Sequence, residues 1–244
     1  MLRHLKDLGY DGVELNLARP QGFETDTLAR VTRDIGLPVG SFMTGTHYFG
    51  EGLCLSSPDA SIRRSAVERL QECTEIAARF GALLVVGQIQ GFRTDEPDLG
   101  VALPRIRDAL KQVADSAEKN QTTIALEPVN HLQCGFNNTL AEVMEMTDRI
   151  GSPRVKPMLD TIHINIEETS LTEPIFRHGK NIAHFHLCET NGDLPGSGHL
   201  DFQSVFEALD DVGYDGFVSA KVYRRPLSEA AEPTIRHLRT LLGG

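Results

Sequence analysis

The stretch Val155–Glu168, which reads VKPMLDTIHINIEE, decides how the rest of the chain can fold. It begins as a β-rich run and ends in an acidic segment, with Asp160 and His163 where the two meet. Two similar junctions flank it, since TTIALEPVNH ends an apolar run with Glu127 and NIAHFHLCETN carries His186 in the same way. A carboxylate, a second carboxylate and an imidazole at three successive strand ends predict a metal site or an acid–base site.

The next predicted strand, GFVSAKVY, presents Lys221 where a fourth metal ligand would be expected. Side chains alternate between the two faces of a strand, so each of these residues shares a face with the residue two positions before it. If those faces point into a barrel, Glu127, Asp160, His186 and Lys221 converge at its C-terminal end, where the sites of such barrels lie. His184 shares a face with His186 and competes with it for the ligand role.

The composition restricts the class of protein. The 244 residues carry a net charge of −10, which disfavours a protein that binds nucleic acid by neutralising phosphates. The four cysteines are scattered without a C-x-x-C pair, which is typical of reduced thiols in the cytosol. The first residues lack the apolar segment of a signal peptide, and no apolar run approaches the length of a membrane span. We therefore expect a cytoplasmic protein with neither nucleic acid nor membrane as a partner.

Apolar periodicity predicts a regular alternation of strands and helices. The predicted strands cover residues 13–17, 39–44, 82–89, 123–129, 155–160, 182–187 and 216–222. Such alternation favours a parallel sheet with helices packed outside. LKDLGYDGVELNL near the start matches LDDVGYDGFVSAKV near the end, and a repeated unit of this kind suits a closed barrel. Because the chain opens in a helix and seven strands are predicted, we predict one domain over residues 1–244, an α/β fold of the (β/α)8 TIM-barrel type without its usual first strand. Three explanations stay open: the strand is absent from this chain, the barrel is incomplete, or the barrel closes differently.

Local signals refine this prediction at three places. Ser57 followed by proline predicts the start of a helix, and Thr139 with Glu142 forms a capping-box pattern. Residues 45–57 are rich in Gly, Tyr and Phe, which is typical of a loop that covers a substrate. His47 lies in that segment and is a candidate for contact with the substrate.

At these residues the chain resembles the xylose-isomerase-like barrel superfamily, and within it the D-tagatose/D-psicose 3-epimerase group and its sugar-epimerase relatives. The matching stretches are ALEPVN, MLDTIHINIEE, HFHLCETN, PGSGHLDF and GYDGFVS, in the family's order over nearly the whole chain. The resemblance implies an isomerase that epimerises a small ketose or keto-sugar acid by moving a proton through an enediolate. It also implies a divalent metal (Mn, Mg, Co or Zn), a sugar-like substrate and a homodimer or homotetramer.

Carried over residue by residue, the resemblance assigns Glu127 as the first metal ligand and catalytic base. It assigns Asp160 as the second metal ligand and His186 as the third. His163 matches a histidine that contacts the substrate. His47 belongs to a segment, TGTHYFGEGLCLSSPDASIRR, that resembles the third βα loop of the group.

The chain departs from the family pattern at three positions. Lys221 stands where the fourth ligand and second base should be a glutamate, Gln133 replaces a substrate-binding glutamate, and Gly192 replaces a substrate-binding arginine. The ammonium of Lys221 donates hydrogen bonds only and repels a dication. It could turn away from a weaker three-ligand metal site, take the place of the metal, or act as a neutral base or Schiff-base nucleophile.

Two other functions follow from the same sequence. A metal-free or non-catalytic relative that binds a sugar-like ligand would explain three altered positions in one pocket. A DNA-repair enzyme like endonuclease IV, from the same superfamily, would need further histidine and carboxylate ligands for a zinc cluster and a basic face. The acidic balance of the chain disfavours that second function.

Overall fold

The computed structural model describes residues 1–243. The strands are β1 Val13–Asn16, β2 Val39–Met43, β3 Leu83–Val86, β4 Thr123–Leu126, β5 Val155–Pro157, β6 Leu159–Asp160, β7 Phe185–Cys188 and β8 Val218–Lys221. The α-helices are α1 Leu2–Leu8, α2 Thr25–Asp34, α3 Thr46–Glu51, α4 Ala60–Phe80, α5 Leu99–Asn120, α6 Leu140–Ile150, α7 Thr161–Glu167, α8 Glu173–His178, α9 Phe202–Asp211 and α10 Leu227–Leu241. Short 3-10 helices cover Gln88–Gln90 and Gly179–Asn181.

All neighbouring strands pair in parallel, as the alternation predicts. One sheet has the order β1-β2-β3-β4-β5 and the other has the order β6-β7-β8. Strands β5 and β6 are the two halves of the predicted strand 155–160, separated by Met158. The Met158 N–H donates to the Leu126 carbonyl at 3.1 Å, and the Ala183 N–H donates to the Pro157 carbonyl at 2.9 Å, so the chain continues from one sheet into the next. The arrangement is that of a TIM barrel, and this fold prediction is confirmed.

The sheet is open between β1 and β8. Within residues 1–243 no strand lies between these two end strands, and the residues of β8 are half-buried, whereas those of β7 are all buried. The Phe217 ring lies in this region against Gly12 and Gly40, where an added Cβ would come within 2.8 Å of a ring carbon. The two glycines therefore provide the space that the ring occupies.

The largest core lies between the sheet and the long helices α4 and α5. Leu70 on α4 and Leu110 on α5 are both fully buried in it, and burial of such a side chain contributes about 1.5–3 kcal/mol. A second core lies between β6–β8 and the helices α8–α10, around Phe185. Val85 on β3, Ala125 on β4 and Met158 between β5 and β6 form a separate small cluster of buried side chains.

The local predictions were correct in part. Thr139 and Glu142 form the complete capping box of α6, which ends at Gly151 in the left-handed conformation. The prediction that Ser57 caps a helix was wrong, because the Asp59 side chain accepts from the Ser61 N–H and α4 begins at Ala60. The predicted loop 45–57 instead begins with the short helix α3. None of the helices among residues 1–243 combines the length and apolar character that crossing a bilayer requires.

Candidate active site

Four side chains from successive strand ends meet at the C-terminal end of the barrel. The Lys221 Nζ lies 2.8 Å from Asp160 Oδ2 and 3.6 Å from Glu127 Oε1. The His186 Nδ1 lies 3.3 Å from Glu127 Oε1 and 3.5 Å from Asp160 Oδ2. His163 adds its Nε2 at 3.7 Å from Glu127 Oε1. Glu127, Asp160, His186 and Lys221 therefore converge in the structure, as the alternation of side chains along the strands predicts.

The register of the second sheet sets these positions. Asp160 pairs with His186 across β6 and β7, and Lys221 pairs with Cys188 across β7 and β8. Asp160 is also the N-cap of α7, where its Oδ1 accepts from the Ile162 N–H at 3.1 Å. The cap holds the carboxylate in one orientation, so its other oxygen faces Lys221.

Helix α7 places His163 one turn beyond Asp160. The Asn130 side-chain amide lies 2.7 Å from His163 Nδ1, and when it donates to that nitrogen the ring proton is on Nε2. The pKa of His163 is lowered, because burial disfavours the imidazolium more than Asp160 and Glu127 favour it. A neutral His163 can therefore donate from Nε2 into the space that Glu127 and Asp160 share.

The charges in the site depend on one another. Burial opposes ionisation of Glu127 and Asp160, but Lys221 lowers the pKa of Glu127 to about 2 and holds that of Asp160 well below its usual range. Burial also opposes the charge on Lys221, yet Asp160 and Glu127 raise its pKa well above the ordinary value. The lysine is therefore a charged ammonium, which is a hydrogen-bond donor and an acid and not a free amine nucleophile.

The site fits a divalent cation apart from Lys221. Glu127 Oε1 and His186 Nδ1 are buried atoms without a hydrogen-bond partner among the described residues. One atom each from Glu127, Asp160 and His163 also lies within 4.8 Å of the other two, a grouping that could hold a metal ion. Carboxylate oxygens and imidazole nitrogens suit Mn, Mg, Co and Zn. The Lys221 ammonium, in contact with Asp160, would compete with the ion. Burial disfavours the imidazolium of His186, but Glu14 raises its pKa well above the ordinary value, so Nδ1 would give up a proton when a metal binds.

The site opens into a cavity of about 1720 Å³. Glu127, His163 and Lys221 line it, and so does Gln133, as expected for a residue near a substrate. Contact of His163 and Gln133 with a substrate stays a prediction. The cavity continues along the opening between β1 and β8, where Phe217 also lines it.

The structure does not bring His47 to this group. Its ring is fully buried, with Nδ1 3.3 Å from Glu51 Oε1 and Nε2 3.7 Å from Cys73 Sγ. Arg69 lies on the same side, 3.3 Å from Nδ1. Phe49, two residues further along α3, is 66% exposed and lines the cavity instead. Substrate binding by His47 therefore remains an untested prediction.

Sequence reasoning missed one residue of the site, Glu14. Its Oε2 accepts from His186 Nε2 at 2.8 Å, from His184 Nε2 at 3.0 Å and from Ser41 Oγ at 2.5 Å. The sequence feature that could have identified Glu14 is its position as a carboxylate within the predicted strand VELNL, which forms β1. His184 Nε2 is thus bound to Glu14, and its ring packs edge-to-face on His186 with the centroids 4.9 Å apart. Its ring nitrogens make no hydrogen bond to Glu127, Asp160 or Lys221 among the described residues.

Comparison with known proteins agrees with this geometry. Residues 2–241 match the family model described as xylose isomerase-like TIM barrel. A ketose 3-epimerase of Arthrobacter globiformis is 27% identical over 86% of this chain and 72% of its own length. A 3-dehydro-D-guloside 4-epimerase of Escherichia coli is 25% identical over 98% of this chain and 92% of its own length.

A solved structure shows the same architecture. The 3-keto-D-glucoside 4-epimerase of E. coli, in its apo form, superposes with a TM-score of 0.86 at 24% identity, covering 98% of this chain and 92% of the other. The resemblance to sugar epimerases that the motifs indicate is confirmed. The family model spans nearly the whole chain, and the chain therefore belongs to the xylose isomerase-like TIM barrel family.

Proposed function

We propose that this protein is a sugar isomerase of the carbohydrate-epimerase type, acting on a small ketose or keto-sugar acid through an enediolate. The observation that carries the proposal is the group of Glu127, Asp160, His186 and Lys221, of which Glu127 and Lys221 line one large cavity. The named relatives, a ketose 3-epimerase and a 3-dehydro-D-guloside 4-epimerase, support the same reaction class.

Glu127 is the proposed base. A C–H bond next to a carbonyl loses its proton when the resulting oxyanion is stabilised by nearby positive charge. The Glu127 Oε1 has no hydrogen bond to another described residue, so it is free to accept that proton. Its electron pair forms the new O–H bond, and the electrons of the broken C–H bond enter the enediolate.

Lys221 is the proposed acid. Inversion requires that a proton return to the opposite face of the carbon. Lys221 Nζ lies 3.6 Å from Glu127 Oε1, so the lysine side chain would move away from Glu127 to reach that face when a substrate carbon is bound. The ammonium gives its proton to the enediolate carbon and becomes an amine. After the product leaves, exchange with solvent removes the proton from Glu127 and returns one to Lys221, so the carboxylate and the ammonium are both restored.

Glu127, Asp160 and His186 would hold a divalent metal. A bound metal would act as a Lewis acid that polarises the substrate carbonyl. The neutral His163 donates a hydrogen bond into the same space, and Asp160 keeps the Lys221 ammonium in place. These are roles of the protein's own side chains that do not depend on which metal binds.

A second candidate function rests on the 2.8 Å contact between Lys221 and Asp160. The ammonium supplies one positive charge to the two carboxylates, which is the charge-neutralising role of a metal. The protein would then be a metal-free enzyme or a non-catalytic binder of sugar-like ligands.

For either function we also propose that the protein forms a homodimer or homotetramer and that it lies in the cytoplasm. Light scattering measures the number of chains in the assembly.

Proton exchange at carbon tests the proposal. The purified protein is incubated in D2O with a panel of ketoses and keto-sugar acids, with and without Mn2+, and proton NMR follows loss of the C–H signal beside the carbonyl. We expect exchange and a new epimer with at least one sugar, and loss of both in Glu127→Gln. The variant Glu145→Gln is the control, because Glu145 lies on the surface paired with Arg149.

Each outcome decides between the candidates. Exchange that needs Mn2+ supports the metal-dependent epimerase, and exchange that survives a chelator supports the metal-free enzyme. Sugar binding without exchange at any carbon supports the non-catalytic binder. Absence of both binding and exchange across the panel contradicts the proposal as a whole.

A further inference from the structure

We propose that Glu14 is a positioning residue: its carboxylate holds the His186 ring through Nε2–H, so that Nδ1 faces Glu127 and Asp160. This inference deepens the proposed function, because it concerns the same site. It identifies the group that decides which ring nitrogen of His186 is available to a cation.

The contacts of Glu14 define what it can do. A carboxylate accepts hydrogen bonds and donates none, so the nitrogen of His186 that lies 2.8 Å from Glu14 Oε2 must carry a hydrogen. Burial would favour the protonated acid, but His186 and His184 lower the pKa of Glu14 well below its usual value. Ser41 Oγ adds a third donor to the same oxygen, and the side chain of Glu14 is 8% exposed.

The other nitrogen of His186 lies on the opposite side of the ring. Its Nδ1 is 3.3 Å from Glu127 Oε1 and 3.5 Å from Asp160 Oδ2, and it is buried without a hydrogen bond. Rotation of the ring by half a turn would exchange the nitrogens for carbons and empty this position. A carboxylate bound to the far N–H is the usual device that prevents such a rotation and fixes the tautomer of a ligating histidine.

The local fold explains why Glu14 points inward. The pairing of β1 with β2 shifts register between Val13 and Glu14, so that Glu14 lies opposite Ser41. Such an irregularity re-aims a side chain and is common next to sites. It brings a carboxylate from the open edge of the barrel to His186 on β7, a residue 172 positions later in the sequence.

Glu14 also contacts His184, but that contact does not turn His184 toward the carboxylates of the site. The His184 Nε2 contacts the same Glu14 oxygen at 3.0 Å and lies within 3.3 Å of the hydroxyls of Ser41 and Ser219. Its Nδ1 is buried without a partner. Glu14 therefore binds two histidines, and only His186 presents its second nitrogen to the carboxylates of the site.

NMR of the histidine rings tests the inference without any sugar or metal. The protein is labelled with 15N-histidine, and the ring N–H signal of His186 is assigned by its loss in His186→Asn. We expect a downfield Nε2–H proton in the wild type that moves upfield or exchanges away in Glu14→Gln. The control is Ser41→Ala, which removes a different donor from the same oxygen and should keep the signal.

A His186 ring N–H that is unchanged in a folded Glu14→Gln protein would overturn the inference. If Glu14→Gln does not fold by circular dichroism, Glu14→Asp, which keeps the charge but shortens the reach, is measured in the same way. Equal loss of the His186 signal in Ser41→Ala would also overturn the inference, because both substitutions would then disturb the packing around the site in a general way.

Metal affinity gives a second readout. In the Lys221→Glu background, where a dication should bind most tightly, Glu14→Gln should weaken Mn2+ binding by about 10–100-fold, the usual cost of losing such a partner. Ser41→Ala should stay within about threefold of its parent, because Glu14 keeps its hydrogen bond to His186 Nε2 in that variant. An Mn2+ affinity unaffected by Glu14→Gln would contradict the positioning role. Failure of the epimerase proposal would appear as absent C–H exchange and would leave the NMR result unchanged.

Discussion

Two buried glutamates follow strands at the same end of the barrel, and their surroundings differ. Glu127 comes directly after β4, and Glu189 comes directly after β7. The Glu189 carboxylate accepts from several donors, among them the N–H groups of Thr190 at 2.9 Å and Gly196 at 3.2 Å. The Glu127 Oε1 accepts none from a described residue and instead faces Lys221 at 3.6 Å.

This difference separates a structural carboxylate from a reactive one. The Glu189 carboxylate accepts hydrogen bonds from the loop that runs from Thr190 to Leu200, and the Leu200 N–H is one of the donors. These hydrogen bonds hold the loop in place. Glu127 keeps an unused acceptor in a buried position, which costs stability and leaves it available for a proton or a cation. The residue type and the place at a strand end are the same, so the donors around each carboxylate decide its role.

The largest expected effect is on catalysis at Glu127. Glu127→Gln should lower the rate of C–H exchange by about 10²–10⁴-fold, the usual contribution of a general base, because an amide cannot accept the proton. Circular dichroism should show an intact fold, since the replaced oxygen has no hydrogen bond to lose. Exchange at the wild-type rate would show that Glu127 is not the base and that its free acceptor does not distinguish its role from that of Glu189.

Glu189→Gln should show the opposite pattern, with a loss of stability. We expect the free energy of unfolding at pH 7 to fall by about 2–3 kcal/mol, because hydrogen bonds to a charged acceptor are replaced by weaker ones. Burial opposes ionisation, but the backbone N–H groups lower the pKa of Glu189 in the folded protein. Its contribution is therefore present above the unfolded-state pKa of about 4.3 and is lost as the pH falls through the lower folded-state value.

Urea unfolding at several pH values measures this contribution. The gap between wild type and Glu189→Gln should stay constant from neutral pH down to about 5 and close progressively below about 4.3. Glu145→Gln serves as the control, because Glu145 is a surface residue. A gap that persists unchanged in acid would show that the carboxylate charge of Glu189 is not what orders the loop.

Lys221→Glu should increase metal affinity. Replacing an ammonium that repels a dication with a carboxylate should tighten Mn2+ binding by at least about tenfold, measured by calorimetry. Lys156→Glu makes the same change of charge at an exposed position of β5 and should have little effect. Equal Mn2+ affinity in wild type and Lys221→Glu would mean that Lys221 turns away from the site when a metal binds.

The smallest expected effect concerns the packing around Glu189. A Cβ at position 198 would collide with the Glu189 side chain, 2.7 Å from its Cγ and nearer still to its carboxylate. Gly198→Ala should therefore destabilise the protein by about 1 kcal/mol or more, as overpacking usually does. Gly50→Ala is the matched control, because nothing lies within 4 Å of its added Cβ, and thermal melts of both variants measure the difference.

Sequence patterns alone predicted the alternation of strands with long helices, and they placed Glu127, Asp160, His186 and Lys221 at strand ends. The short helices α3 and α7 were not predicted. Apolar periodicity indicates which segments are strands and which are helices, and the alternation of side chains along a strand indicates which residues share a face. Both are local rules, so they hold without knowledge of the rest of the chain. The same rules predicted the capping box of Thr139 correctly.

Contacts between distant parts of the chain could not be predicted from local patterns. Glu14 meets His186 because a register shift on β1 turns it inward, and no local pattern records that shift. His47 packs against α4 instead of the cavity, since a short helix replaces the predicted loop. Whether a buried carboxylate is satisfied, as Glu189 is, or open, as Glu127 is, depends on donors that folding brings from elsewhere.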